Sequence, residues 1–201
     1  MSSTIATGAH LLLNGRPGDP AVITDETTLT YAELEQAVMD RAAAYGPARG
    51  VVLLEAGNDL DSVIGYLAAL AARRPVLLTP PGGDTDELRM RYRGAFEADR
   101  EQDVELHPDL ALLLSTSGST GSPKLVRLSR DNLSANAASI AAYLGLTSAD
   151  RAMSSLPLHY CYGLSVLNSH LSAGAAVILT DLSVADECFW DVAAQIGRAH
   201  V

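Results

Sequence analysis

Short apolar segments, each of strand length, alternate along this sequence with segments of helical periodicity. The intervening segments repeat apolar residues every three or four positions, as where Leu34, Val38 and Ala42 share one helix face. Alternation of this kind is typical of α/β folds, in which helices pack on β-sheets. The sequence therefore predicts the α/β class. The apolar segments are Val51–Leu54, Pro75–Thr79, Leu110–Leu114 and Ala175–Leu179.

Local signals predict where several elements begin and end. Ala21–Thr24 and Thr28–Thr30 flank two acidic residues and predict a short hairpin. Thr30 and Glu33 have the spacing of a capping box at a helix start. Ser129 predicts another helix start, with Leu144 as the last inward-facing residue. The predicted helices are Asp59–Ala72, Asp84–Phe96, Arg130–Leu144, Gly163–Leu171 and Asp186–Gln195.

The segment Ser115–Lys124 follows the apolar run Leu110–Leu114 directly and reads Ser-Thr-Ser-Gly-Ser-Thr-Gly-Ser-Pro-Lys. Its two glycines let the backbone approach a ligand closely, and successive N–H groups in such a turn form an anion nest. The Lys124 ammonium adds a compact charge that suits a phosphate. Pro123 stands where a Walker loop needs glycine, so the loop is of another kind. The segment predicts a phosphate-binding turn, with a flexible linker as the alternative.

Composition excludes several classes of function. The sequence has 24 acidic and 14 basic residues and a net charge of −10, which argues against nucleic-acid binding through a basic face. No apolar run approaches the roughly 18 residues of a membrane span, and Met1–His10 has no secretory signal pattern. Cys161 and Cys188 are far apart and have no metal-ligand spacing. A cytoplasmic protein with reduced thiols and no metal centre of its own is therefore expected.

Three further segments accompany the loop. Leu29–Leu34 reads Leu-Thr-Tyr-Ala-Glu-Leu, Ser129–Leu133 reads Ser-Arg-Asp-Asn-Leu, and Leu156–Leu164 reads Leu-Pro-Leu-His-Tyr-Cys-Tyr-Gly-Leu. With Ser115–Lys124, these segments resemble the adenylate-forming superfamily of AMP-binding enzymes, which includes acyl-CoA synthetases, adenylation domains of peptide synthetases and luciferases. The resemblance extends from about Asp19 to Gln195.

The resemblance implies a fold of layered α/β sheets, the N-terminal part of an AMP-binding large domain, incomplete here. It implies an N-terminal extension over residues 1–18 and a partial AMP-binding domain over residues 19–195. The family's Tyr-Gly-x-Thr-Glu segment, its ribose-binding Asp and its C-terminal domain with a catalytic Lys have no counterpart in the sequence. The chain is therefore expected to be an inactive N-terminal fragment. Ala175–Leu179 is expected to lack strand partners and to make the chain poorly soluble.

The resemblance also implies an activity. The family couples a small carboxylic acid to ATP, releases pyrophosphate, and passes the acyl group to a thiol of coenzyme A or phosphopantetheine. Two alternatives stay open, namely an adenylation domain that loads a carrier protein and a non-catalytic nucleotide- or phosphate-binding domain.

Site residues follow from the same resemblance. Lys124 and His159 are the catalytic candidates, and Mg²⁺ is expected to share the stabilisation of pyrophosphate. His159 is expected near the carboxylate pocket, with a polar turn residue as the alternative. The family often has His where Arg130 stands, and Arg can supply charge and donors there. The expected nucleotide-binding residues are Thr116, Ser117, Gly118, Ser119, Thr120, Gly121 and Lys124.

The last six residues, Ile196–Val201, break the helical pattern before them. They can be back-translated as ATC GGA AGA GCA CAC GTC, a string that matches a widely used sequencing-library adapter. Residues 196–201 are therefore predicted to be a non-native tail, with a natural C-terminus as the alternative. Sequencing the locus beyond the codon of Gln195 decides between the two.

Overall fold

The structure, a computed structural model, describes residues 12–45, 50–83, 85–92, 95, 106–116, 124–195 and 199–200. These residues form strands and helices in alternation. The strands are β1 (Pro20–Ile23), β2 (Thr28–Thr30), β3 (Val52–Glu55), β4 (Val76–Thr79), β5 (Leu110–Thr116), β6 (Lys124–Ser129), β7 (Arg151–Ser154), β8 (Ala176–Leu179) and β9 (Ala199–His200). The helices are α1 (Tyr31–Ala44), α2 (Leu60–Ala71), α3 (Asp86–Arg91), α4 (Arg130–Leu144), α5 (Cys161–Ser172) and α6 (Glu187–Gln195).

The strands form two sheets. The five-stranded sheet has the order β2-β1-β8-β7-β9, and the four-stranded sheet has the order β3-β4-β5-β6. Most neighbours are parallel, while β2 pairs antiparallel with β1 and β6 pairs antiparallel with β5. The predicted α/β class and the predicted hairpin of β1 and β2 are confirmed.

The central strands are buried on both faces, which explains why they are apolar without interruption. In β4, Val76 and Leu78 belong to the main core, whereas Leu77 packs on the opposite face with Leu88 of α3. In β8, Ile178 likewise faces away from the main core, where it packs with Phe189 of α6. Strand alternation therefore gives each sheet an inner face toward the shared core and an outer face covered by one helix.

The main core contains residues of both sheets and of helices α1, α2, α4 and α5. Tyr66 of α2 is fully buried there, and its hydroxyl oxygen accepts a hydrogen bond of 3.1 Å from the Asn168 amide of α5. Burial raises the pKa of the Tyr66 hydroxyl. Because these two helices follow strands of different sheets, this bond joins the two layers inside one core.

Both predicted helix caps are present. The Thr30 hydroxyl accepts from the Glu33 amide at 3.3 Å, and the Glu33 carboxylate accepts from the Thr30 backbone N–H at 2.8 Å. Ser129 and Asn132 make the same reciprocal pair at the start of α4, at 3.1 and 3.0 Å. These contacts satisfy N–H groups that a helix start leaves without partners.

The first capping box predicts a pH-dependent contribution to stability. Its hydrogen bonds, chiefly from the Thr30 backbone, hold the pKa of Glu33 below its ordinary value of 4.5. A lowered folded-state pKa stabilises the fold above the unfolded-state value and loses that effect as pH falls through the folded-state value. We expect Glu33→Gln to be less stable than the native chain at pH 7, with the difference shrinking only as pH falls below 4.5 and through the lowered folded-state value. Urea unfolding from pH 7 down to about pH 2.5 measures it, and a constant difference over that range would contradict the assignment.

Three expectations about elements are wrong. β8 does not lack partners, because it lies between β1 and β7 and hydrogen-bonds to both. α3 covers Asp86–Arg91 and is shorter than predicted, and the predicted end residues Asp84 and Phe96 lie outside the described residues. Leu144 is 40% exposed, because α4 runs past the core after Ala137.

Candidate functional site

The β5–β6 hairpin brings together the two ends of the segment predicted to bind phosphate. β5 and β6 pair antiparallel up to the register pair of Thr116 and Lys124. The interior residues Leu112 and Leu114 of β5 are buried, which anchors the hairpin in the sheet. The strand predicted before the loop, Leu110–Leu114, is therefore confirmed within β5, and β6 is the strand that follows the loop. Ser117, Gly118, Ser119, Thr120 and Gly121, with Ser122 and Pro123, lie outside the described residues.

Lys124 is the first residue of β6, and it is exposed. It is also the only lysine in the sequence, so this hairpin end carries the single side-chain ammonium group of a chain with a net charge of −10. A lysine ammonium directly after a glycine-containing segment suits a polyanion such as a phosphate chain.

The base of the hairpin is fixed to the neighbouring layer through Arg130. This residue begins α4 directly after β6, and its guanidinium Nη1 donates a 2.8 Å hydrogen bond to the Leu70 carbonyl near the end of α2. Burial lowers the pKa of Arg130, the nearby Arg73 adds to this, and the carboxylate of Asp109 opposes it. Arg130 thus donates to the backbone of α2 from the position where the family often has His.

His159 lies in the loop between β7 and α5, with its ring against that of Tyr160 at a centroid distance of 4.4 Å. Its Nδ1 is 2.9 Å from the Ala56 carbonyl oxygen. A carbonyl oxygen can only accept, so Nδ1 is the donor, and in the neutral ring Nε2 is the atom left to accept. His159 is thus held by a specific contact with another loop.

Lys124 and His159 lie at one edge of the four-stranded sheet but do not meet. Strands β3, β4 and β5 are parallel, so their carboxyl ends share an edge. Ala56, which His159 contacts, follows β3, while Lys124 pairs with the last residue of β5. With neighbouring strands about 4.8 Å apart, the three spacings from β3 to β6 separate the two places by roughly 14 Å. Ligand sites in parallel α/β sheets form at such an edge.

No group of three His, Cys, Asp or Glu residues that could hold a metal ion occurs within the described ranges. The same part of the chain contains no helix long and apolar enough to cross a membrane.

Two residues matter that the sequence analysis did not select. Asn58, in the loop between β3 and α2, donates hydrogen bonds to carbonyl oxygens of Ser154 and Thr180. Gly163, in the first turn of α5, lies so close to the preceding loop that an added Cβ would come within 2.4 Å of the Leu156 carbonyl oxygen. The motif that led to the family resemblance contains Gly163, whereas no local pattern marks Asn58.

Comparison with known proteins gives consistent matches. The model of the family described as AMP-binding enzyme matches residues 85–197. An oxalate–CoA ligase of Arabidopsis thaliana is 30% identical over 189 residues, which cover 82% of this chain and 35% of that ligase. A 2-succinylbenzoate–CoA ligase of Bacillus velezensis is 38% identical over 96 residues, covering 48% of this chain and 19% of that ligase.

The fold matches as well. The crystal structure of apo MatB from Rhodopseudomonas palustris superposes with a TM-score of 0.79 at 21% identity, covering 96% of this chain and 48% of that chain. The predicted layered α/β architecture is confirmed. The chain spans about half of the MatB structure, and about a third or less of the two curated ligases that it matches.

Proposed function

The chain belongs to the family of AMP-binding enzymes, and we propose from that premise that the protein activates a small carboxylic acid with ATP. In the first step a carboxylate oxygen attacks the α-phosphorus of ATP, the bond between the α- and β-phosphoryl groups breaks, and pyrophosphate leaves. In the second step a thiol attacks the acyl carbon and AMP leaves. The curated relatives are named CoA ligases, which supports coenzyme A as acceptor over a phosphopantetheine carrier protein.

The observation that carries the proposal is the closed hairpin end at which Thr116 pairs with Lys124. We assign the β- and γ-phosphates to the segment from Thr116 to Lys124, including Ser117, Gly118, Ser119, Thr120 and Gly121. The Lys124 ammonium would stabilise the charge that develops on departing pyrophosphate, since preorganised donors act most strongly where charge develops.

His159 is proposed to lie beside the carboxylate that is activated. It stands at the same sheet edge as Lys124, about three strands away, which leaves room for a nucleotide and an acid between them. Mg²⁺ supplies charge neutralisation to phosphate chemistry of this kind. None of the described residues forms a carboxylate cluster for this ion, so we assign it to no residue here.

The domain limits and the cellular location remain proposals. We propose that residues 19–195 belong to the AMP-binding domain, of which the family model matches the part from residue 85 onward. We also propose a cytoplasmic location, a compartment in which free cysteines such as Cys161 and Cys188 stay reduced.

Pyrophosphate binding by the 201-residue chain tests the phosphate-binding assignment. Reductive methylation with ¹³C-formaldehyde labels only Lys124 and the α-amino group, because the sequence has one lysine. We expect pyrophosphate to shift the Lys124 dimethylamino resonance saturably. We expect Lys124→Met to weaken binding, measured by calorimetry at low salt, by about tenfold or more, since hydrogen bonds to charged groups contribute roughly 1.5–3 kcal/mol.

Arg127→Met is the matched control, because Arg127 is an exposed cation of the same strand β6. Its pyrophosphate affinity should stay within about twofold of the native value, as expected for a solvated surface charge. An unsaturable shift, or an equal loss in both variants, would show only diffuse electrostatic attraction and would remove the basis for the assignment.

A further inference from the structure

The loop between β3 and α2 connects the two sheets through one side chain. The Asn58 amide nitrogen donates a 2.6 Å hydrogen bond to the Thr180 carbonyl, just after β8, and another to the Ser154 carbonyl at the end of β7. Both partners are carbonyl oxygens, which can only accept a hydrogen bond. The Asn58 side chain must therefore present its NH₂ group to them and not its oxygen, which fixes the orientation of the amide. Both donor hydrogens of Asn58 are thereby used on the ends of two neighbouring strands of the other sheet.

The loop that carries Asn58 is itself held firmly. Asp59 caps α2 by accepting from the Ser62 backbone N–H at 2.8 Å, and the Ser62 hydroxyl accepts from the Gly57 N–H at 3.0 Å. The backbone on both sides of Asn58 is therefore held by hydrogen bonds. The two bonds of the Asn58 side chain in turn fix the position of the β7 and β8 ends relative to β3.

The same loop contacts His159 and the residue before it. The Ala56 carbonyl, two residues before Asn58, accepts from His159 Nδ1 at 2.9 Å, and the Gly57 carbonyl accepts from the Leu158 N–H at 3.5 Å. Ser154, which Asn58 holds, is only five residues before His159 in the same connection. Asn58 thus keeps the segment that carries His159 within reach of Ala56.

We propose that Asn58 is a positioning residue which, by bonding Ser154 and Thr180, holds His159 as the Nδ1-protonated tautomer. This tautomer leaves Nε2 as the basic atom of the ring. The inference deepens the proposed function, because it states which ring atom of His159 is available at the carboxylate site. Loss of the Asn58 bonds would free the β7–α5 loop and let both tautomers form.

Nitrogen NMR of ¹⁵N-histidine-labelled protein tests the proposal at about pH 8.5, where neutral imidazole is observed. The chain has five histidines, and His159→Gln identifies the resonances of His159. In the native chain we expect a protonated Nδ1 and an unprotonated Nε2. In Asn58→Ala and in the isosteric Asn58→Asp, we expect the Nδ1-protonated fraction to fall to about half or less.

Asn14→Ala is the matched control. The Asn14 amide also donates to a backbone carbonyl, that of Ser172 at 3.0 Å, but at the far end of α5 from His159. It should leave the tautomer unchanged even if it lowers the melting temperature as much as the Asn58 variants do.

Three outcomes would overturn the proposal: a native His159 protonated at Nε2, an unchanged tautomer in cooperatively melting Asn58 variants, or an equal change in Asn14→Ala. If Asn58→Ala does not fold, Asn58→Asp and the native spectrum still decide. Pyrophosphate binding at the hairpin is measured separately, so a failure of this proposal and a failure of the proposed function can be told apart.

Discussion

Replacing Gly163 with alanine is expected to lower the free energy of unfolding by about 3 kcal/mol or more, the upper end of what overpacking costs. The new Cβ would lie 2.4 Å from the Leu156 carbonyl oxygen and 2.7 Å from that of Pro157. Both are backbone atoms, so no side-chain rotation relieves the contact. The loop must move away from α5, and the buried Leu158, whose N–H bonds Gly57, must move with it.

Gly65→Ala is the control for this prediction. Gly65 is also a buried helical glycine, but the atoms nearest an added Cβ are the flexible methyl ends of Leu54, at 3.1 and 3.3 Å. Alanine also favours the helix by roughly 0.5–1 kcal/mol over glycine. We expect Gly65→Ala to change stability by less than about 1 kcal/mol. Urea unfolding of both variants measures the contrast, and a Gly163→Ala chain as stable as the native one would refute the steric argument.

The features predictable from sequence were those set by neighbouring residues. The hairpin of β1 and β2 depends on a turn between two short segments rich in β-branched residues, and it formed as predicted. The capping box of Thr30 and Glu33 needs a partner only three residues away, and Ser129 marks a helix start by its residue type, so local sequence identifies both helix starts. Strand positions were predictable for a related reason, since a continuous apolar run fits a strand buried on both faces.

The pairing of strands that are distant in sequence has no comparable local pattern that would predict it. β8 was expected to lack partners because they were expected in segments that this sequence does not contain. Its neighbours in the sheet are β7, the strand before it in sequence, and β1, more than 150 residues earlier. The order in which strands assemble depends on how helices pack across the sheet, and a single sequence does not record that choice.

The candidate site also contains residues that the local sequence identifies and residues that it does not. The residue types in Ser115–Lys124 predict phosphate binding, because glycines, hydroxyl groups and one ammonium suit a phosphate in any fold, and this stays a prediction. Asn58 could not be selected, because its partners Ser154 and Thr180 are 96 and 122 residues away. An asparagine before a helix is also a common local feature, which hides its role between sheets. The roles of Lys124 and His159 stay predictions.

The 201-residue chain alone is expected to show no carboxylate-dependent exchange of pyrophosphate into ATP above background. Its sequence holds the proposed phosphate-binding segment but no Tyr-Gly-x-Thr-Glu segment, and it spans 48% of the MatB chain. Catalysis of this kind depends on hydrogen-bond donors that surround the reacting phosphate and carboxylate. Enzymes reach accelerations of roughly 10⁶-fold or more with such a set of donors in place, and this chain holds only part of it. If the native chain did catalyse the exchange and Lys124→Met abolished it, the residues of this chain would be sufficient for adenylation and the prediction would be wrong.

A chimera separates an enzyme segment from a non-catalytic binding domain. In it, residues 12–195 replace the matched half of Rhodopseudomonas palustris MatB, whose fold superposes with a TM-score of 0.79. If the segment belongs to a ligase, the chimera should catalyse exchange with some carboxylic acid, and Lys124→Met should reduce the rate by about tenfold or more. Arg127→Met should not. A chimera that melts cooperatively and binds ATP, yet exchanges with no acid in a broad panel, would favour the binding domain, because the phosphate contacts would then be present without the chemistry.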